Sequence, residues 1–161
     1  MFKGIPVASC DETLTASSSS QSLTSPNYPQ NYGNDLNCVY TISGDDIITI
    51  VFEAFSVSKT NLVTFKMNSF YCFLFPNNIK TVIVFQVEQH SSCGWDYLKV
   101  QEDDGSGNLV QIENLCGPAL PLSHITSSGN NLVLHFWSDY TVNKGGFKIH
   151  YYSGQWNGGE F

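Results

Sequence analysis

The sequence predicts an all-β fold built from two packed antiparallel sheets. Apolar residues stand at every second position in several short segments, as at Leu132, Leu134 and Phe136, which is the pattern of a strand with one buried face. Turn-forming Gly, Pro, Asn and Asp residues separate these segments. No segment combines a helical repeat of apolar residues with capping residues. Strands this short and this frequent are typical of a two-sheet sandwich.

Composition limits the size of the fold and the class of partner. The 161 residues fit one domain, or one domain with an insertion. The net charge is −7, and all the basic residues are lysines. This acidic balance argues against nucleic acid or an anionic membrane surface as a partner, and it favours cations or basic protein surfaces. The longest strongly apolar run, 70–75, is far too short to span a bilayer, so we expect no membrane insertion.

The cysteines and the amino-terminal residues indicate where the protein functions. Five cysteines in a chain of this length suggest an oxidising compartment, with two disulfides and one cysteine left over. Residues 1–9 contain one lysine but no apolar run long enough for a signal peptide. We therefore expect this chain to be a fragment of a larger extracellular or secreted protein.

The first half of the chain contains a polar arm and two predicted strands. Residues 17–22 form a polar loop. In the segment 25–32, Ser-Pro-Asn-Tyr-Pro-Gln-Asn-Tyr, the two prolines favour extended and turn conformations. One strand is predicted at 38–42. A second is predicted at 47–55, where alternate residues are apolar, and we expect it to lie at the centre of its sheet.

The second half of the chain contains three further predicted strands. The first begins at Asp96, and Leu98 and Val100 form its apolar face. A Gly- and Asp-rich turn at 103–108 follows it and leads to the segment 112–115. The last two strands are predicted at 132–137 and 147–152, on either side of a loop.

Residues 57–86 break this pattern. They contain three lysines and no acidic residue, six aromatic residues and the fifth cysteine, Cys72. Joining Ser56 directly to Val87 would give an uninterrupted strand and turn leading to Cys93. The first two and last two codons of the segment can be written as consensus intron donor and acceptor sites. We therefore interpret the segment as an intron-like insertion, and the alternative is a genuine loop or extra hairpin.

Three motifs together resemble the CUB domain family. They are the segment 25–32, the string Cys-Gly-Trp-Asp-Tyr at 93–97, and Leu-Cys-Gly at 115–117. The first motif is specific because it is long and lies between two cysteines. The resemblance covers residues 10–152, interrupted by the insertion, and leaves flanks at 1–9 and 153–161.

The resemblance also implies the architecture and its disulfides. CUB domains are jelly-roll-like sandwiches, which agrees with the two sheets expected from the strand pattern. The four-cysteine framework of the family implies the bridges Cys10–Cys38 and Cys93–Cys116. Cys72 would then be a free cysteine.

Three acidic residues, Glu88, Asp96 and Asp139, can converge at one end of the predicted sandwich. Carboxylates brought together raise one another's pKa unless a cation neutralises them, and their hard oxygen atoms suit Ca²⁺. In the calcium-binding group of CUB domains the matching acids are metal ligands. The set implied by this resemblance is completed by oxygen atoms at Thr141 and Asn143, with Tyr32 as a support of Glu88. The alternative is that the acids are solvated loop residues.

The resemblance implies an extracellular, non-catalytic protein–protein interaction module within a larger secreted or membrane-anchored protein. Free carboxylate oxygens of the calcium site would capture a Lys or other basic side chain of an extracellular partner, beside Tyr140. The alternative is a carbohydrate-binding, spermadhesin-like CUB module in which Trp95 or Trp137 stacks on a sugar. No catalytic constellation stands out, so we expect no enzymatic activity.

Overall fold

The computed structural model describes residues 8–52, 54–57, 72–74, 80–83, 85–118 and 124–155, and of residues 8–9, 54–57, 72–74 and 80–83 the backbone alone. Within these ranges the chain is all-β, as predicted, and contains no helix that could cross a membrane. The strands in chain order are β1 (Ala8–Ser9), β2 (Glu12–Thr15), β3 (Gln21–Thr24), β4 (Leu36–Ser43), β5 (Ile48–Phe52), β6 (Ala54–Val57), β7 (Cys72–Leu74), β8 (Lys80–Ile83), β9 (Tyr97–Asp103), β10 (Leu109–Leu115), β11 (His124–Thr126), β12 (Asn131–Trp137) and β13 (Lys148–Ser153).

The larger sheet has the strand order β1-β4-β12-β9-β10, and β2 also pairs with β4. Strand β12 pairs antiparallel with β4 on one side and with β9 on the other. Strands β1 and β2 run parallel to β4, whereas the sequence predicted antiparallel sheets. The reason is that the amino-terminal arm runs alongside β4. Between β1 and β2, Cys10 is bonded to Cys38 and Asp11 Oδ1 accepts a 2.8 Å hydrogen bond from Val39 N.

The smaller sheet has the strand order β11-β5-β13-β3 and is antiparallel throughout. All the residues of β5 are buried, which confirms its predicted central place. The strand ends at Phe52, however, and not at Phe55 as predicted. Strand β6 belongs to a separate three-stranded sheet of order β6-β8-β7, in which Phe55 pairs with Val82. Period-two patterning is the same in both sheets, so the pattern alone did not locate this break.

The core lies between the inner faces of the two main sheets. Leu132, Leu134 and Phe136 of β12 are fully buried, and the residues between them are only half-buried. Ile48 and Ile50 of β5 close the core from the smaller sheet. Each fully buried side chain of this size stabilises the fold by about 1.5–3 kcal/mol relative to its exposed state. The packed core therefore fixes the ends of β9 and β12, where the candidate site is found.

Phe85 and Gln86 are the last two residues of the predicted insertion, and both lie in the sandwich. Phe85 is 1% exposed. Its ring meets Phe52 edge-on at a centroid distance of 5.8 Å and stacks on Phe147 at 6.3 Å. The carboxyl-terminal end of the segment therefore contributes to the core, and the interruption of the domain by residues 57–86 stays a prediction.

Two disulfides connect neighbouring parts of the larger sheet and its loops. Cys10 is bonded to Cys38, with Cα atoms 4.6 Å apart, and Cys93 is bonded to Cys116, with Cα atoms 5.5 Å apart. These are the pairs implied by the resemblance. The predicted free thiol of Cys72 lies outside the described side chains. The second bridge fixes the loop that leads into β9, which begins one residue after Asp96.

Candidate metal centre

Three acidic side chains meet at one end of the sandwich. Carboxylate oxygens of Glu88, Asp96 and Asp139 all lie within 4.8 Å of one another. Glu88 is 8% exposed and Asp96 is 1% exposed, while Asp139 is half-buried. Carboxylates are rarely buried to this extent unless a charge or a set of hydrogen bonds compensates them. The acids that the sequence singled out are thus brought together in one cluster, in which Glu88 and Asp96 are buried and Asp139 is half-buried.

Backbone hydrogen bonds of the two residues before Glu88 hold this acid in place. Gln86 exchanges two hydrogen bonds with Gly146, of 2.7 and 2.9 Å, and Val87 exchanges two with Gly117, of 3.3 and 3.0 Å. Gly146 has a φ of +79°, and a Cβ at this position would collide with a buried serine hydroxyl. The residue at this position must adopt a positive φ and must lack a Cβ, and only glycine does both. The loop after β12 is thereby fixed against the segment that carries Glu88.

Asp96 is held by a buried tyrosine. The hydroxyl of Tyr32 donates a 2.6 Å hydrogen bond to Asp96 Oδ2 and accepts a 3.1 Å hydrogen bond from Glu88 N. The Tyr32 ring is 1% exposed and packs edge-on against Phe136 at a centroid distance of 5.1 Å. Burial and the neighbouring Asp96 raise the pKa of the Tyr32 phenol, so it remains a protonated donor. The resemblance implied that Tyr32 supports Glu88; its hydroxyl contacts the carboxylate of Asp96 and, at Glu88, only the backbone nitrogen.

Asp139 reaches the cluster because β12 and β9 are antiparallel. Trp137 pairs with Tyr97, so the residues just after β12 and just before β9 lie at the same end of the sheet. Asp139 N donates a 2.8 Å hydrogen bond to Asp96 Oδ1. Thr141 N and Thr141 Oγ1 both donate to Asp139 Oδ1, at 2.8 and 2.9 Å. The loop therefore orients one oxygen of each aspartate within the cluster.

Burial and mutual repulsion make the ionised cluster costly. Burial raises the pKa of Glu88, and the charges of Asp96 and Asp139 raise it further. Lys144 and His90 oppose this shift in part. Burial also raises the pKa of Asp96, although two hydrogen bonds to its carboxylate act in the opposite direction. A bound cation would remove this penalty by favouring the charged form of each group.

The donor set of the cluster suits a hard divalent cation. Glu88 Oε2 is buried and has no hydrogen-bond partner among the described residues. Leaving a buried acceptor without a partner costs about 1–3 kcal/mol, and more when the group is charged. Carboxylate oxygens are the ligands that Ca²⁺ takes, whereas structural zinc sites are built mainly from Cys and His. The residues present therefore fit Ca²⁺.

Two further residues of the predicted set have other contacts in the structure. Thr141 is exposed, and its hydroxyl and N–H are directed to Asp139. Asn143 is half-buried, and its side-chain amide forms hydrogen bonds with Asn31 and Asn34. Asn31 and Asn34 were not singled out from the sequence, because only the folded chain brings them beside the loop after β12.

Exposed apolar side chains surround the acids in the sequence and lie in the same loops. Trp95 is 47% exposed, Tyr140 is 76% exposed and Val142 is 47% exposed. The Trp95 ring lies 4.5 Å from the ring of His90. Trp137 is only half-buried and pairs with Tyr97 on the larger sheet. Val142 was missed in the sequence, where its only signal is its place between two predicted site residues.

Comparisons of the sequence with known proteins identify the family. The CUB domain family model matches residues 10–69 and 78–151. The "Cubilin homolog" of Caenorhabditis elegans is 30% identical over 147 residues, which are 90% of this chain and 3% of that protein. "Bone morphogenetic protein 1" of Xenopus laevis is 31% identical over 130 residues, which are 81% of this chain and 14% of that protein. The chain thus spans a small share of the curated relatives it matches.

A solved structure supports the same assignment at the level of the fold. The crystal structure of the MASP-1 CUB2 domain bound to Ca²⁺ has a TM-score of 0.59 with this chain at 21% identity, and the match covers 89% of this chain and 100% of that domain. CUB domains are commonly non-catalytic, extracellular modules of protein interaction. Because the family model matches most of its length and the sandwich is shared, the chain belongs to the CUB domain family.

Proposed function

We propose that this CUB domain binds an extracellular protein in a calcium-dependent manner, through a basic side chain of that partner. The observation that carries the proposal is the cluster of Glu88, Asp96 and Asp139, in which Glu88 Oε2 is buried and has no hydrogen-bond partner among the described residues. A structural neighbour of the same family was crystallised with Ca²⁺, but the proposal depends on the donor atoms of this chain.

The cluster would hold the ion with its own carboxylates. Glu88, Asp96 and Asp139 provide the charged oxygens, and Tyr32 keeps Asp96 in place. An oxygen atom at Thr141 is a further candidate. The ion supplies two positive charges, which offset most of the repulsion in the cluster. Extracellular calcium modules have dissociation constants of about 10⁻⁴ to 10⁻³ M, and we expect this site to fall in that range.

Negative charge remains for a partner after the cation is bound. Three carboxylates and one divalent ion leave a net charge of about −1, and Asp139 is the least buried of the three acids. A Lys ammonium or an Arg guanidinium can bind there through a charge-assisted hydrogen bond. Trp95 and Tyr140, exposed beside the acids, can contact such a cation through their rings. The net charge of −7 also favours a basic partner.

Calcium binding is tested by thermal melting and calorimetric titration of the protein in Ca²⁺, in Mg²⁺ and in EDTA. We expect Ca²⁺ to raise the melting temperature and Asp96→Asn or Asp139→Asn to remove this response. Asp104→Asn is the matched control, because Asp104 lies in the exposed turn at the far end of β9. Identical melting of the unsubstituted protein in Ca²⁺ and EDTA would refute the calcium site.

Capture of a basic side chain is tested with an immobilised lysine-rich peptide and the same peptide acetylated on its lysines. We expect binding to the unmodified peptide in Ca²⁺ only, and loss of binding after acetylation, because acetylation removes the charge. Equal retention on both peptides, or retention that EDTA leaves unchanged, would exclude this mechanism while leaving the calcium site intact.

Carbohydrate binding is the second candidate function, and the exposure of Trp95 favours it. The ring is 47% exposed and can stack on a sugar, whereas Trp137 is half-buried. A glycan array probed in Ca²⁺ and in EDTA separates this candidate from peptide capture. Binding to a glycan that Trp95→Ala abolishes and EDTA does not affect would favour the carbohydrate module.

A further inference from the structure

Four hydrogen bonds link the side chains of three asparagines to one another and to two backbone carbonyls beside the acidic cluster. Asn34 Nδ2 lies 3.1 Å from the carbonyl oxygen of Tyr140. Asn143 Nδ2 lies 3.1 Å from Asn34 Oδ1. Asn31 Nδ2 lies 3.1 Å from Asn143 Oδ1 and 3.3 Å from the carbonyl oxygen of Asn143. These residues form a continuous amide chain, which we call the asparagine clasp.

The direction of every hydrogen bond in the asparagine clasp is fixed from one end. The carbonyl of Tyr140 can only accept, so Asn34 must present its NH₂ group there. Asn34 Oδ1 then faces Asn143, whose NH₂ group must donate the hydrogen bond. Asn143 Oδ1 is consequently turned towards the NH₂ group of Asn31. Both polar ends of the Asn143 side chain are therefore used inside the clasp.

The clasp joins the two segments that carry Tyr32 and Asp139. Backbone hydrogen bonds connect the same segments: Tyr32 N donates to Lys144 O at 3.0 Å, and Asp35 N donates to Asp139 O at 2.8 Å. Asn143 is the middle member of the clasp, because it contacts both Asn31 and Asn34. Movement of its loop would shift Asp139 relative to Tyr32, which holds Asp96.

We infer that Asn143 is a positioning residue of the proposed calcium site and not a metal ligand. It aligns the loop that carries Asp139 with the segment that carries Tyr32, and Asn31 and Asn34 share this role. This role rests on the proposed calcium site only for its effect on Ca²⁺ affinity, because the clasp consists of hydrogen bonds among protein groups alone.

Substituting Asn143→Asp separates the two roles. As a ligand, an aspartate would add an anionic oxygen and keep or strengthen Ca²⁺ binding. As a member of the clasp, it loses the NH₂ group that Asn34 Oδ1 requires, so we expect Ca²⁺ affinity to fall by about threefold to tenfold, the loss typical of one hydrogen bond. Asn34→Ala should weaken calorimetric Ca²⁺ binding by a similar factor. Unchanged or tighter Ca²⁺ binding by Asn143→Asp would overturn the inference.

A double-mutant cycle of Asn34→Ala and Asn143→Ala, measured by thermal unfolding in EDTA, tests the clasp without any metal. We expect the double variant to lose less stability than the sum of the single variants, because both remove the same hydrogen bond. Asn108→Ala is the control, since Asn108 is an exposed asparagine bonded to Asp104 in a distant turn, and its effect should add fully to that of Asn143→Ala. Full additivity of the clasp pair would overturn the inference, whatever the outcome with Ca²⁺.

Discussion

The hydroxyl of Tyr32 lies 2.6 Å from Asp96 Oδ2 and 3.1 Å from the backbone nitrogen of Glu88, and it is a donor to the first and an acceptor from the second. One buried phenol thus connects two of the three segments that carry the acidic cluster. The third segment is connected by Asp139 N, which donates to the other oxygen of Asp96. The site is assembled around the Asp96 carboxylate.

Tyr32→Phe removes the bridging hydroxyl and leaves Asp96 Oδ2 and Glu88 N without this partner. We expect a loss of about 1–3 kcal/mol of unfolding free energy, the cost of buried groups left unsatisfied, together with weaker Ca²⁺ binding. Urea unfolding and calorimetry measure the two effects. Tyr140→Phe is the control, because Tyr140 is 76% exposed. Loss of its hydroxyl should change neither the unfolding free energy nor the Ca²⁺ affinity. Unchanged stability of Tyr32→Phe would contradict the bridge.

Glu88→Gln should have opposite effects with and without calcium. In EDTA it removes a buried charge that is repelled by Asp96 and Asp139, so the melting temperature should rise. A gain of about 1 kcal/mol corresponds to about 2–4 °C in a domain of this size. In Ca²⁺ the same variant should show little further stabilisation, since one ligand is lost. Glu113→Gln, on β10, is the control, and a lower melting temperature of Glu88→Gln in EDTA would contradict the repulsion.

The metal-free protein should lose stability as the pH rises through the titration of Glu88 and Asp96. Folding raises the pKa of Glu88 above its ordinary 4.5 and that of Asp96 above its ordinary 3.8, so the folded state binds more protons than the unfolded state. The stabilising contribution of these groups is complete below the ordinary values and lost above the raised ones. Urea unfolding in EDTA from about pH 4 to pH 8 measures it. The unfolding free energy should depend less steeply on pH in Glu88→Gln than in the unsubstituted protein. An equal pH dependence would contradict the raised pKa of Glu88.

Gly146→Ala should destabilise the domain more than Gly105→Ala. Both glycines have positive φ, +79° and +83°, which costs alanine about 1–2 kcal/mol. A Cβ at Gly105 meets open space, whereas one at Gly146 collides with Ser25 Oγ. We expect overpacking to cost Gly146→Ala about 1–3 kcal/mol more. Chemical unfolding compares the two variants, and equal losses would show that the close approach of Ser25 and Gly146 is not maintained in solution.

Local patterns in the sequence were sufficient for much of the fold. Alternation at Leu132, Leu134 and Phe136 predicted the central strand β12, and the cysteine framework implied both disulfides. The three acids were recognised from the family resemblance, and the antiparallel pairing of β9 and β12 brings Asp96 and Asp139 to the same end of the sheet. The asparagine clasp had no such signal, because its members interact across more than 100 positions of the sequence.

There is a different reason why the core position of Phe85 could not be predicted. Residues 55–57 read Phe-Ser-Val and residues 85–87 read Phe-Gln-Val, so the two tripeptides have the same apolar pattern. Either tripeptide fits the pattern of a strand that leads into Glu88. The contacts of the Phe85 ring with Phe52 and Phe147 determine the choice, and these contacts depend on the packing of the two sheets.

A chain that joins Ser56 directly to Val87 should therefore fold, with Phe55 in the place of Phe85. The rings of Phe52 and Phe85 are in edge-on contact at a centroid distance of 5.8 Å, and in the joined chain Phe55, three residues after Phe52, is the aromatic residue that can take this place. We expect the joined chain to be at least as stable and soluble as the full chain and to keep its calcium response, because it loses the six aromatic residues of 57–86 while Phe55 supplies a ring for the core position. Thermal melting and solubility measure this.

The control for the joined chain is the same chain with Phe55→Ala, which should lose about 3–5 kcal/mol if Phe55 fills the core position. Lower stability or solubility of the joined chain would show that residues 57–86 belong to the domain. Messenger RNA that retains the segment as its main product would contradict the intron interpretation.

The acidic site is made by contacts between distant parts of the chain, and this has a kinetic consequence. The hydrogen bonds of Asp96 and Glu88 span sequence separations of 64, 56 and 43 residues. Loops of this length close only when the sheets have paired, so the site is absent from early folding species. A ligand that binds only the finished structure lowers the unfolding rate and leaves the folding rate unchanged. Calcium should therefore lengthen the lifetime of the folded domain without helping the chain to reach it.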